Sequence, residues 1–343
     1  MDINRFGIEQ RRRKRSMLVL SILGALIVAA FIISMNTGTI RLSPVDVLQT
    51  LFGMGTAKEN LILFDFRLPR IVISLLIGAG LAVAGCILQG VTRNALADPG
   101  LLGINAGAGL AVILFVCFYP STSTASVFLL PLLALIGAGL TALLIYSLAY
   151  KKTDGISPTS LILTGIAVAA GINAAMIVLT LTLSPEQYQF VATWIAGSIW
   201  GANWKFVLAL LPWIVVLLPY VMLKSNMMNI LNLSDHTAAG LGAPIEADRR
   251  KLLFAAVALA GSCVAVSGGI GFVGLIGPHL ARTLVGPKHQ HLLPTSAMVG
   301  ALLTIIADTI SRAMSSAGIP TGVVVAVVGA PYFLYLLART KSS

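Results

Sequence analysis

Charge is scarce in this sequence. Of 343 residues only 10% are Asp, Glu, Lys or Arg, and just 12 of these are acidic. So few charges cannot clothe a large soluble domain. Cysteine and histidine are also rare, at 3 and 4 residues. Cys86, Cys117 and Cys263 each lie inside an apolar run, without metal-site spacing or an obvious disulfide partner, and read as small core residues. His236, His279, His289 and His291 form no ligand set, so neither a metal nor a cofactor is assigned. No Lys follows a Gly, which removes the G-x-x-x-x-G-K-[ST] loop that cradles phosphates. If ATP is used, another chain hydrolyses it. An intramembrane enzyme would need a nucleophile with its base, or HExxH, and neither is found, so no catalytic residue is named. An ion-coupled carrier would need carboxylates along its path. Here Asp308 is the main internal candidate, with Asp98 and Asp235 expected near the cytoplasmic face.

What the chain has in abundance is apolar sequence: 57% of residues are hydrophobic and mean hydropathy is +0.94. This is the composition of an all-α integral membrane protein. Breaking the apolar runs at polar, Pro and Gly clusters gives about ten spans, near 17–35, 70–92, 104–119, 127–149, 159–183, 206–223, 252–268, 270–281, 292–314 and 320–338. Residues 1–16 form a basic N-terminus and 339–343 a short tail around a ten-helix transmembrane domain at 17–338. The eighth run is too short for a full span and begins SGGIGFVGLIGPH, whose glycines and Pro278 should break or bend a helix. Its GIGFVG also fits G-x-G-x-x-G, but without the strand and helix of a βαβ unit that pattern is a close-packed backbone segment.

The formal charge of +11 does not point to nucleic acid, because Lys and Arg sit in short clusters between apolar runs. Arg11 to Arg15 precede the first span, and an even number of spans returns Arg339 and Lys341 to the same side. Both termini are therefore expected in the cytoplasm of a multi-pass protein. Arg93, Lys224, Arg249, Arg250 and Arg282 then also fall inside, whereas Arg67, Arg70 and Arg312 fall outside, against the usual bias. Arg67 and Arg70 share a helix face, so headgroup contact or pairing with carboxylates would each suit them.

Gly-Ala-Gly-Leu recurs at 78–81, 107–110 and 137–140, as expected where helices approach closely in lipid. The longest inward loop, about 226–251, mixes Met227, Met228, Ile230 and Leu231 with small residues. Two short helices presented to a soluble partner, or tucked against the spans, would account for it equally.

Several segments resemble one known family. FRLPRIVISLLIGAGLAVAGCILQGVTRNALADPGLLGINAGAG (66–109), GFVGLIGPHLAR (271–282), ADTISR (307–312) and GAPYFLYLL (329–337) are similar, in order and over nearly the whole chain, to the FecCD-type permeases. These are membrane subunits of ABC importers for iron-siderophores and cobalamin. The resemblance implies a type II ABC importer permease in the bacterial cytoplasmic membrane. It also implies three kinds of partner: a second permease subunit, two ATP-binding cassette subunits on the cytoplasmic side, and an extracytoplasmic siderophore-binding lipoprotein. Cobalamin or haem is the alternative cargo. On the same ground Arg67, Arg70 and Arg312 would dock the binding protein. Asp235, Ala238, Ala239, Gly240, Leu241 and Gly242 would form the ATPase coupling loop, with Asp where the family usually has Glu. Thr159 and Ser160 would line the inner end of the pathway, after Pro158 where Ser or Thr is more usual.

Overall fold

In the computed structural model the described residues are 3–38, 43–119, 129–151, 155–199, 201–233, 235–240, 244–314 and 319–340. The chain is a helical bundle, with one two-residue hairpin between Tyr150–Lys151 and Gly155–Ile156. Seven helical stretches are long and apolar enough to cross a membrane: Gln10–Asn36 in α1 (Ile3–Asn36), Ala57–Thr92, α6 (Leu129–Ala149), α7 (Pro158–Thr180), α9 (Trp204–Leu223), α12 (Ile245–Ser267) and α14 (His289–Met314). Among the described residues two shorter apolar helices, α5 (Ile104–Phe118) and Thr321–Tyr335 of α15 (Thr321–Thr340), and the 13-residue α13 (Val273–Val285) occupy the other three expected runs.

Boundaries differ from the sequence reading where polar residues continue a helix. The basic N-terminus is the first part of α1, and α12 begins at Ile245, so Arg249, Arg250 and Lys251 belong to it. The second span is preceded by α2 (Pro44–Leu51), α3 (Ala57–Asn60) and a π-helical turn, Leu61–Arg67, that runs directly into α4 (Leu68–Thr92). A further short helix, α8 (Pro185–Ile195), follows α7 and is closed by a Ser184–Gln187 capping box.

The core is centred on α4, buried almost continuously from Ile71 to Thr92. Its small residues explain why. A Cβ at Gly78 would collide with the Gly300 carbonyl and Thr304 Oγ1 of α14, and one at Gly85 with the Gly274 carbonyl of α13. The other two Gly-Ala-Gly-Leu runs meet each other, Gly107 of α5 lying against Gly137 and Thr141 of α6.

The two ends of the bundle are chemically distinct. At the near end Arg15 of α1 donates to the Thr283 carbonyl of α13, which brings the start of one helix to the finish of the other. The finish of α4 and the start of α14 meet α10 (Ser225–Leu231) at this same end. The far end gathers the finish of α1, the starts of α4 and α9, and the finish of α14.

Candidate functional sites

At the far end the sequence-expected arginines do come together, around Asp308. Asp308 is 0% exposed; its Oδ1 accepts from Arg70 Nε at 2.8 Å and its Oδ2 from Arg312 Nε at 3.0 Å. The Thr321 hydroxyl donates to Oδ1 at 3.3 Å. Arg312 also donates to the Ser34 and Thr37 carbonyls and to the Ser34 hydroxyl, and Arg67 donates to the Met35 carbonyl. The Ser34 and Met35 carbonyls are among the last of α1, which lack helical partners of their own, and Thr37 directly follows the helix. The cluster therefore staples α1, α4, α14 and α15 together. Arg67 is 6% exposed as a residue, while the Arg70 and Arg312 side chains are 14% and 10% exposed. Sequence order could not show that Asp308 completes the cluster, since it lies 238 residues from Arg70. Its i,i+4 spacing from Arg312 was the available signal.

Midway along the bundle α12 stops and the backbone turns sharply. Gly268 takes φ +68° against the Trp194 carbonyl, where no side chain fits, and Phe272 takes φ +65°, rare for a residue with a Cβ. The short α13 then runs to the near end through Pro278. Proline has no N–H, so the Gly274 carbonyl four residues earlier loses its helical donor. Gln89 of α4 reaches it: Nε2 lies 3.5 Å from Gly274 O and 3.4 Å from Leu275 O. The glutamine of the LQG segment thus serves the proline of GLIGPH, a link the sequence reading missed.

Beside this break the chain after α4 folds back through a 3-10 turn, Pro99–Leu102, capped by Asp98, whose Oδ1 accepts from Gly100 N at 2.8 Å. Burial pushes the Asp98 carboxyl above the usual carboxylate range and the Gly100 N–H opposes it. Asp98, Leu96, Gly271, Phe272 and Phe333 line an open cleft of about 340 Å³. His279 packs edge-on against Tyr332 of α15 at 5.9 Å.

At the near end the expected pair of short helices is present as α10 and α11 (Asp235–Gly240). Met228 and Leu231 of α10 are buried, and Arg93, which ends α4 in the left-handed conformation, donates from Nε to Leu231 O at 2.9 Å. Asn229 Oδ1 accepts from the His289 backbone N–H at 2.9 Å and lies 2.9 Å from His289 Nδ1. A backbone nitrogen can only donate, so Oδ1 is the acceptor and Nδ1 carries its proton. Asn229 Nδ2 then donates to Gln290 Oε1 at 2.9 Å. Met228 and Leu231 are thus buried where α10 is fastened to α4 and α14, while Leu233 is exposed. Among the coupling-loop candidates, Ala238 is buried, Gly240 is open with nothing near its missing Cβ, and Asp235 and Ala239 lie on the α11 backbone. Leu241 and Gly242 lie outside the described residues. Lys224 Nζ is 3.0 Å from Asp248 Oδ1, and that hydrogen bond raises the pKa of the ammonium. Thr159 is exposed at the start of α7, and half-buried Ser160 lies at 3.5 Å from Ala149 O of α6.

Comparison with known proteins shows where these features belong. The FecCD transport family matches residues 26–339. The chain is a member of that family. Its relatives include the iron(3+)-hydroxamate import system permease protein FhuG of Bacillus subtilis, 50% identical over 96% of this chain and 99% of the relative. The Fe(3+)-citrate import system permease protein YfmE of the same organism is 44% identical, over 95% and 96%. Among solved structures, an inward-facing metal-chelate type ABC transporter superposes with a TM-score of 0.81 at 30% identity, covering 94% of this chain and 99% of the other. PsaBC from Streptococcus pneumoniae, at 18% identity and a TM-score of 0.58, shares the fold. This FecCD chain is thus a multi-pass membrane transport permease of the ABC type.

Proposed function

We propose that this chain is the permease subunit of a binding-protein-dependent importer that moves a ferric siderophore across the bacterial cytoplasmic membrane, with ATP hydrolysed by separate subunits. The observation that carries the reading is the near full-length similarity to the iron(3+)-hydroxamate permease, at 50% identity over 96% of this chain and 99% of that relative. A ferric hydroxamate is accordingly the favoured cargo.

In this reading the near end is cytoplasmic, as its Arg and Lys residues would have it. The α10–α11 pair receives the ATP-binding subunits, with α10 fixed to the bundle and the open Gly240 surface presented outward. A second permease subunit pairs alongside. The far end receives the siderophore-binding protein. Arg70 and Arg312 share the one Asp308 carboxylate, so this pair keeps a surplus positive charge that an acidic residue of the partner would meet. The cleft at Asp98, Phe272 and Phe333 and the exposed Thr159 are candidates for the pathway wall.

Deletion of the gene, followed by growth on single iron sources, tests the cargo. Loss of growth on ferric hydroxamates, with ferric citrate and haem use retained, is the expected result. Unchanged hydroxamate use with loss of cobalamin or haem uptake would overturn the cargo assignment.

A further inference from the structure

On the outer surface of the bundle α9 and α12 leave a groove of about 570 Å³ that neither the arginine cluster nor the coupling helices use. One face of α12 forms one wall, through Arg250, Lys251, Phe254 and Ala255, spaced so that they stack on the same side of the helix. The other wall is Val216, Leu217 and Tyr220 of α9. The helices run in opposite directions, and their chemistry is ordered along the groove. Arg250, Lys251 and Tyr220 lie toward the near end, and Phe254, Ala255, Val216 and Leu217 deeper in the bundle. Cations over an apolar trough match an amphiphile with an anionic head.

The surrounding charges sharpen this. The first turns of α12 contain two acids, and each already has a cation: Glu246 with Arg249 at 2.8 Å and Asp248 with Lys224 at 3.0 Å. Arg250, which is hydrogen-bonded to the Tyr146 hydroxyl, and Lys251 form no ion pair with a carboxylate among the described residues. Water alone would leave the Phe254 wall wet, although that side chain is largely exposed on the isolated subunit. A zwitterionic lipid would cover the wall but bring no net charge to the two cations.

We propose that the α9–α12 groove is a binding site for an anionic phospholipid, its phosphate held by Arg250 and Lys251 and one acyl chain lying along Val216, Leu217 and Phe254. Two cations near a membrane surface give a preference of about tenfold or more for an anionic over a zwitterionic headgroup. Native mass spectrometry of the full-length protein in detergent, titrated with dioleoyl phosphatidylglycerol or dioleoyl phosphatidylcholine, reads this directly. The wild type should retain the glycerol lipid at about a tenth of the concentration needed for the choline lipid. Arg250→Gln with Lys251→Gln should bring the two lipids to parity, while Lys58→Gln at the far end should leave the preference intact. Equal retention of the two lipids by the wild type, or a preference that survives the double substitution, would overturn the site.

Discussion

Asp308 shows how a single buried carboxylate decides what two arginines, Arg70 and Arg312, can do. Removing one partner of a buried ion pair leaves uncompensated charge and costs about 3–5 kcal/mol. Asp308→Ala is therefore expected to lower the thermal midpoint of the purified protein markedly, and Asp308→Asn by less because the amide oxygen can still accept from one arginine. Differential scanning fluorimetry checks both, and an unshifted midpoint for Asp308→Ala would remove the staple. Arg70→Glu would set two carboxylates side by side, so its loss of transport would report misfolding as well as docking. Arg70→Lys keeps a cation while giving up the planar fork, and should weaken binding-protein capture, measured by surface plasmon resonance, with the fold retained. The sequence showed Arg67 and Arg70 as neighbours, but the carboxylate that pairs with Arg70 lies far away in the chain and only packing of α4 on α14 brings it in.

At the scale of elements the broken segment and α10 are the informative parts. Glycine periodicity alone treats Gly271 and Gly274 alike, whereas the fold separates them. A Cβ at Gly274 would press on Pro99, Asp98 and the Leu81 carbonyl, and one at Gly271 would meet open space. Gly274→Leu should fail to accumulate in membranes and Gly271→Leu should accumulate normally, as quantified by immunoblot. Equal levels would mean that packing does not distinguish them. The clasp between α10 and α14 makes a second case. Asn229→Ala strands the buried His289 donors, each unmet donor costing about 1–3 kcal/mol. Asn229→Asp keeps an acceptor for both. Hydrogen exchange over 225–231 should quicken in the alanine variant and stay slow in the aspartate variant if the clasp seats α10. The ten apolar runs and the break in the eighth were legible because hydropathy and Gly/Pro punctuation are local signals. The partnership of Gln89 with the Gly274 carbonyl freed by Pro278 was not, since hydrogen bonds across helices leave no spacing rule behind.

For the whole molecule, α4 and α14 form a through-bundle pair in which the arginine cluster holds one end and α10 is fastened to the other. Such a pair is suited to coupling events at opposite membrane faces, and in the proposed function the energy for transport comes from ATP hydrolysed by partner subunits. Family membership was legible from motif order alone, while the arrangement of groove, cleft and clasp required the fold. The most direct measurement is uptake of ⁵⁵Fe-labelled hydroxamate siderophore into proteoliposomes holding the assembled transporter, with binding protein outside and ATP inside. The account predicts accumulation that requires internal ATP and binding protein and is unaffected by an uncoupler. Uptake that proceeds without ATP and collapses with the uncoupler would contradict it.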